Sequence, residues 1–213
     1  MTGAAAGDAT VFLIDDDDSL RRSVARQLSV AGYAVEAFAS ALEFLERPSY
    51  DGSGCVLLDV RLPQMMGPEL QLEMVSRGIT LPVVFLTGHG DVATSVSAMK
   101  RGAFDFLTKP VDGELLVSTI REAIERHSTE RRTRSRRRAF EERLRLLSPR
   151  ERQVLGFVVA GCLNKQIADQ MGITLKTVKV HRARVMQKMR VSSVAALVHE
   201  CDSAGMATAR TES

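Results

Sequence analysis

Cys55-Val56-Leu57-Leu58-Asp59 is an unbroken apolar run that closes on a single carboxylate. Three other runs have the same form. Val11-Phe12-Leu13-Ile14 leads into Asp15-Asp16, Val83-Val84-Phe85-Leu86 into Thr87, and Phe106-Leu107-Thr108 into Lys109-Pro110. Short apolar runs of this kind read as strands buried on both faces of a parallel sheet. In an open α/β sheet the carboxyl ends of such strands share one edge, where ligands bind. The pattern therefore predicts that acids, a hydroxyl and an ammonium from distant segments meet on one rim. That chemistry suits a phosphoryl group better than an apolar ligand.

Outward from these runs, residues 1–125 alternate strand and helix patterns. Strands are predicted at 10–14, 33–38, 54–59, 81–87 and 104–108. Helices are predicted near 18–31, 40–46, 66–77 and 91–101, with a last one from about 112. Gly32, Gly78 and Gly102 fall where helices should end. Five strand-then-helix units imply a doubly wound five-stranded parallel sheet. The helix from Asp112 meets no strong stop before Ser148, so 126–147 is read as a helical or part-helical linker with a solvated surface.

The remainder of the chain is helical in pattern. Ser148-Pro149-Arg150-Glu151 supplies a capping Ser, a Pro at the first helical position and a Glu three residues after the cap. Gly161 should end that helix. Asn164 starts a second, ended by Gly172; Thr174 caps a third, running to about Arg190; Ser192 or Ser193 caps a fourth. Two short helices joined by a tight Gly-containing turn form a helix-turn-helix.

Composition sets the boundaries of function. Of 213 residues, 45% are hydrophobic and 26% charged, ordinary proportions for a globular protein. No apolar stretch approaches a membrane span, and the first ten residues lack a basic start, so a cytoplasmic address and no membrane partner are expected. Cys55, Cys162 and Cys201 are odd in number and far apart, and read as free thiols. The net charge of +3 conceals an asymmetry. Residues 1–125 carry 10 basic against 18 acidic side chains, and residues 126–213 carry 19 against 8. The second half is thus suited to a polyanion. A solvated basic linker accounts for part of this, since residues 126–147 hold nine Arg and three Glu. Residues 148–213 still carry 10 basic against 5 acidic.

On the acidic rim, a carboxylate is a competent nucleophile toward phosphorus. Asp15, Asp16 and Asp59 would repel one another unless a hard cation such as Mg²⁺ joined them through oxygen ligands. Lys109 would meet the phosphoryl oxygens and Thr87 would donate a hydroxyl to one of them. A cis Lys109-Pro110 bond suits such a turn. Each group alone has a bland reading as cap or turn, and the convergence of four is what favours chemistry. Asp17 and Asp18 read as first-turn residues favoured by the helix dipole.

On the basic half, a helical wheel from Thr174 collects Val178, Val185 and Met189 on one face, with Leu175 and Met186 at its margins. Lys176, Lys179, Val180, Ala183 and Gln187 lie opposite, flanked by Thr177 and Arg184. A basic face with small apolar members suits the major groove, where Lys reaches guanine acceptors and methyl-sized groups meet thymine. Arg182 falls inward and is expected to send its head to a phosphate or a nearby acid. Lys165, at the start of the preceding helix, is a candidate phosphate contact.

Residues 10–125 resemble the response-regulator receiver domains, through Val11–Asp17, Leu58–Pro63, Val84–Asp91 and Phe104–Pro110. The Thr87-Gly-His-Gly-Asp91 wording is particularly similar to FixJ-type regulators. The resemblance implies a flavodoxin-like fold with Asp59 as phosphoacceptor and Thr87 and Lys109 assisting. It implies a Mg²⁺ (or Mn²⁺) site of Asp15, Asp16, Asp59 and the Arg61 backbone carbonyl. Thr87 and Phe106 are the implied switch pair. The chain departs from the pattern at Met66, where a small Ser is usual, and at Pro68. Phe106 lacks a hydroxyl and reports the switch only by packing.

Residues 146–205 resemble the LuxR/NarL-type helix-turn-helix, through Leu147–Leu155, Asn164–Ala168 and Thr177–Arg182. The DNA-facing positions so implied include Lys165, Thr174, Lys176, Lys179, Val180 and His181. Thr177 and Arg184 join them as flanks of the wheel's outward face, and Arg182 joins them as a candidate phosphate contact. Ala183 stands where some relatives carry a Lys. The last helix, with Val194, Leu197, Val198 and Cys201 at one-face spacing, reads as core, and the resemblance adds a dimer contact.

The combined expectation is an α/β plus all-α chain. It comprises a receiver at 8–125, an Arg-rich helical linker at 126–145, a four-helix helix-turn-helix domain at 146–205 and a flexible tail at 206–213. Such a chain takes a phosphoryl group from a sensor histidine kinase, forms a homodimer and binds promoter double-stranded DNA; RNA polymerase is a further candidate partner. It is not a turnover enzyme. An aspartate-nucleophile phosphatase needs a second acid two residues after the nucleophile, and position 61 is Arg. A phosphorylation-independent adaptor binding protein or RNA is the remaining alternative, and Lys179 variants separate it from a DNA-binding regulator.

Overall fold

The computed structural model describes residues 9–88 and 102–206. The chain divides into two compact units, Met1–Arg131 and Arg132–Ser213. The helix predicted at 91–101 lies outside the described residues, as does all of the tail but Met206.

In the first unit the strands are β1 (Ala9–Ile14), β2 (Ala34–Phe38), β3 (Ser53–Asp59), β4 (Val83–Thr87) and β5 (Asp105–Thr108). All pair in parallel, in the order β2-β1-β3-β4-β5. This is the flavodoxin-like order, whose switch point lies between the first and third strands. β4 begins two residues later than expected because Pro82 has no N–H to give the ladder, although its carbonyl still accepts from Val56.

The helices are α1 (Asp18–Val30), α2 (Ala41–Glu46), α3 (Gly67–Ser76) and α4 (Gly113–Arg145). Side chains alternate across the sheet, so each apolar run feeds two cores. Val11, Leu13, Cys55, Leu57, Val84, Leu86 and Leu107 pack with Val24 and Leu28 of α1 and with Leu116, Ile120, Ala123 and Ile124 of α4. Phe12, Ile14, Val56, Leu58 and Phe85 pack with Ala41 and Phe44 of α2 and with Leu70 and Met74 of α3. Two-faced burial explains why these strands show no polar alternation. Asp17 caps α1 by accepting from the amides of Ser19 and Leu20, and Asp18 occupies its first turn.

α4 is one helix from Gly113 to Arg145. Its residues from 126 onward are solvated only in part. His127 and Ser128 are buried in the first unit, and Phe140 is buried in the second. Between them the residues are exposed, apart from Arg131, whose guanidinium lies 2.9 Å from the Asp51 carboxylate.

The second unit holds the end of α4 and the helices α5 (Pro149–Val159), α6 (Asn164–Met171), α7 (Leu175–Met189) and α8 (Val194–Ser203). Ser148 accepts from the Glu151 amide while the Glu151 carboxylate accepts from the Ser148 amide, the predicted capping box. Thr174 caps α7 and Ser193 caps α8; Gly172 ends α6 in the left-handed region. Val154, Leu155, Val158, Ile167, Val178, Val185, Met189, Leu197 and Cys201 form the core. Leu175, placed at the margin of the inward face, is exposed because it opens α7 beyond the reach of this core.

Candidate functional site

The sheet register brings the polar ends together. β1 and β3 run side by side with Ile14 opposite Leu58, so the residues that follow, Asp15 and Asp59, emerge at the same edge. Asp59 lies opposite Leu86, and Thr87 lies opposite Thr108, which precedes Lys109. The Lys109 amide donates to the Thr87 carbonyl at 2.8 Å, and the Lys109-Pro110 bond is cis.

Carboxylate oxygens of Asp15, Asp16 and Asp59 lie within 4.8 Å of one another. Asp15 is fully buried, Asp59 is 7% exposed, and Asp16 opens to solvent. The ammonium of Lys109 donates to Asp15 at 2.7 Å and to Asp59 at 2.8 Å. Burial raises the Asp15 carboxyl above its ordinary value, against the pull of the Lys109 hydrogen bond. Burial by itself would lower the Lys109 ammonium, but the two carboxylates more than offset it and hold it above its usual range. Such an all-oxygen donor set of three acids, one of them open to water, fits a hard divalent cation.

Asp59 also accepts from the Arg61 amide at 3.2 Å, which fixes the backbone of the predicted carbonyl donor. Thr87 is 7% exposed, and its hydroxyl donates to the Gly88 carbonyl at 3.2 Å. Phe106 is half-buried and stacked on Phe85, with ring centroids 5.1 Å apart.

Two supports of this rim escape a reading of residue types. The Arg21 guanidinium, on the first turns of α1, donates to the Asp15 carbonyl at 2.7 Å. A Cβ on Gly67 would stand 2.4 Å from the Asp59 carbonyl oxygen, so only Gly lets α3 start this close to β3. The Gly67-Pro68 pair carried the sole sequence signal.

In the second unit Lys165, Lys176, Lys179 and Arg184 are exposed, as is Val180, at 43%. Lys176, Lys179, Val180 and Arg184 lie on or beside the outward face of α7 that the wheel predicts, and Lys165 stands on α6. Thr174 and Thr177 are joined by a hydroxyl–hydroxyl hydrogen bond of 2.9 Å at the start of α7. His181 is half-buried, and its Nδ1 has no hydrogen-bond partner among the described residues. Arg182 finds a different protein partner from the nearby acid expected. Its guanidinium donates to the Asn164 side-chain oxygen, an amide, at 2.7 Å. That bond ties α7 to the first residue of α6, a role that the helix-start pattern at Asn164 does not announce.

A second tie fixes the far end of α7. Arg143 donates to the Met189 carbonyl at 2.8 Å and to Glu200 at 2.5 Å. Lys188 pairs at 2.7 Å with Glu151, whose carboxyl the Lys188 bond holds below its usual range. No helix among the described residues is long and apolar enough to cross a membrane.

Comparison with known proteins agrees with both halves. Residues 11–121 match the response regulator receiver domain family, and residues 145–201 match the bacterial regulatory proteins of the luxR family. Nodulation protein W of Bradyrhizobium diazoefficiens is 39% identical over 208 residues, which cover 98% of this chain and 92% of that protein. Transcriptional regulatory protein FixJ of Azorhizobium caulinodans is 43% identical over 199 residues, covering 93% of this chain and 94% of that protein. Among solved structures, response regulator StyR aligns with a TM-score of 0.85 at 41% identity, covering 92% of this chain and 98% of that one. Full-length FixJ from B. japonicum aligns with a TM-score of 0.58 at 39% identity, covering 93% and 98%. The chain therefore belongs to the response regulators that join a receiver domain to a LuxR-type DNA-binding domain, and it is a transcriptional regulator of the FixJ type.

Proposed function

We propose that Asp59 is the phosphoacceptor and that its phosphorylation controls promoter binding through α7. The observation that carries this reading is the Lys109 ammonium held 2.7 Å from Asp15 and 2.8 Å from Asp59 at the sheet's carboxyl edge. That arrangement gathers cationic charge where a phosphoryl group would sit, and positioning with charge stabilisation is most of what phosphoryl transfer requires. A sensor histidine kinase is the donor class. A carboxylate oxygen of Asp59 forms the new bond to phosphorus while the phosphorus–nitrogen bond of a phosphohistidine breaks, and the imidazole keeps the electron pair.

Asp15, Asp16, Asp59 and the Arg61 carbonyl are the residues that would hold Mg²⁺ or Mn²⁺. Once bound, the cation neutralises phosphoryl charge and relieves the repulsion among the three acids. Lys109 exchanges part of its carboxylate contact for a phosphoryl oxygen. The Thr87 hydroxyl leaves the Gly88 carbonyl for another, and Phe106 moves from its stack on Phe85. This exchange shifts a pre-existing equilibrium toward a homodimer, so some DNA binding precedes phosphorylation.

Lys165, Thr174, Lys176, Thr177, Lys179, Val180, His181 and Arg184 are the DNA-facing set. Arg182 joins them as a phosphate contact and also orients α6 and α7 through Asn164. The receiver is assigned to 8–125, the linking stretch to 126–145, the DNA-binding domain to 146–205 and the tail to 206–213. Promoter DNA implies action in the cytoplasm, with RNA polymerase as the partner that turns occupancy into transcription. The protein is a regulator whose only chemistry is gain and loss of its own phosphoryl group.

The experiment is to measure oligomeric state and duplex affinity with and without acetyl phosphate plus Mg²⁺, in wild type and D59N. Wild type should shift to dimer and bind more tightly while D59N stays unchanged. An equal response in both would remove Asp59 as the input.

A further inference from the structure

From Ser128 to Arg138 the helix α4 contains no apolar residue. All residues from 132 to 139 are exposed. Some arginines have local partners: Arg126 pairs with Glu130 at 2.9 Å and Arg137 with Glu141 at 3.0 Å, each one turn on. Arg132, Arg136 and Arg138 have no ion pair or hydrogen bond among the described residues. The spacing also sets Arg132 against Arg136 and Arg134 against Arg138, four residues apart. Like charges so placed oppose helix formation. A helix formed against its own repulsion is one that a polyanion would steady.

We propose that Arg132, Arg136 and Arg138 form a second contact with the DNA backbone, separate from the helix-turn-helix. The proposal rests on the DNA-binding reading above and adds a surface to it. Two observations select the occupant. First, the same helix enters the core of the DNA-binding unit through Phe140 and Leu144, and Arg143 grips the last carbonyl of α7. The arginines are thus fixed to the body that carries the recognition helix. Second, a helix that lies on a membrane surface needs an apolar face to bury, and this stretch has none. Guanidinium groups without base-reading company recognise phosphates and not sequence, so the contact adds affinity and salt dependence, with no base preference.

The quantity to measure is the slope of log affinity against log salt concentration for the full-length protein on a random-sequence 40-base-pair duplex. Each phosphate neutralised contributes about 0.9 to that slope. Loss of three contacts in R132Q/R136Q/R138Q should flatten it by about 2.7, equal to roughly 40-fold less sensitivity between 50 and 200 mM salt. R132K/R136K/R138K keeps the charge and should keep most of the slope, which separates charge from helix disruption. Removal of three receiver arginines, in R22Q/R26Q/R121Q, should leave it unchanged.

A Gln triple with the wild-type slope overturns the proposal. So does a flattening shared equally by the receiver control. Binding to 3:1 phosphatidylcholine:phosphatidylserine vesicles that the Gln triple abolishes, with the duplex slope intact, would assign the stretch to membranes instead. K179A run alongside keeps the two readings apart. If K179A binds duplex like wild type, the helix-turn-helix reading fails, whatever the arginines do.

Discussion

Lys109→Gln removes the positive charge shared by Asp15 and Asp59 and leaves two carboxylates facing each other. Asp15 is fully buried and Asp59 nearly so, which keeps water from replacing the lost bonds. A hydrogen bond to a charged group is worth about 1.5–3 kcal/mol net. Two are lost, but the Lys109 side chain, 22% exposed, no longer gives up hydration on folding. The receiver should therefore lose about 2–4 kcal/mol at pH 7 without divalent cations. That moves its urea midpoint down by about 1–2 M.

The sign with pH follows from Asp15. Its carboxyl is already raised by burial, and loss of Lys109 removes the opposing hydrogen bond. An acid raised in the folded state gives stability that is complete below its unfolded value of 3.8 and lost as pH climbs through the folded value. The deficit of the variant should then be small near pH 4 and largest near pH 7. Mg²⁺ should recover more stability in the variant than in wild type, because it meets the same unpaired acids. Both tyrosines, Tyr33 and Tyr50, belong to the receiver, so tyrosine near-UV dichroism during urea titration follows that unit alone. A deficit that is absent, or constant from pH 4 to 7, refutes the charge-sharing account of Lys109.

Other outcomes are equally open to measurement. Gly67→Ala drives a Cβ to 2.4 Å from the Asp59 carbonyl oxygen and should cost the receiver about 1–3 kcal/mol while slowing labelling by acetyl phosphate; wild-type labelling would show that the loop yields freely. Asn164→Ala and Arg182→Met should each cost the DNA-binding unit about 1 kcal/mol in thermal melts, and the double variant little more than either; full additivity would deny the bond. Glu151→Gln should lower stability by about 1–3 kcal/mol at pH 7. Because the Lys188 bond depresses this acid, its contribution is present above 4.5 and fades as pH falls through the folded value, so the two proteins should converge in acid. His127→Leu leaves the buried Gly54 amide without its acceptor at 3.2 Å and should cost about 1–3 kcal/mol by urea titration.

Legibility in the sequence followed the range of the interaction. Apolar runs that end on Asp15, Asp59, Thr87 and Lys109 are local, and a parallel sheet has one carboxyl edge, so the rim is legible in the sequence. The caps at Ser148, Thr174 and Ser193 are local too, and all formed. What stayed hidden were bonds whose partners are chosen by tertiary packing. His127 reaches Gly54 across 73 residues, Arg143 reaches Met189 across 46, and Arg182 reaches Asn164 across 18. No pattern of residue types announces them, since Arg and His on a helix are usually solvated. For the same reason 126–147 reads from its sequence as a linker with a solvated surface. One buried aromatic, Phe140, and one buried imidazole, His127, in a run of arginines carry too little periodic signal to reveal that both ends of the stretch are packed.

The burial of Phe140 has a practical corollary for dissecting the protein. A shortened chain that starts at Leu146 matches the family boundary closely but discards an aromatic ring from the interior, together with the guanidinium that fastens Met189 and Glu200. Such a piece would expose a greasy dent on its flank and tend to self-associate, and a weak grip on promoters would then report damage instead of intrinsic affinity. Starting near Arg132 retains both groups and gives an honest isolated binder.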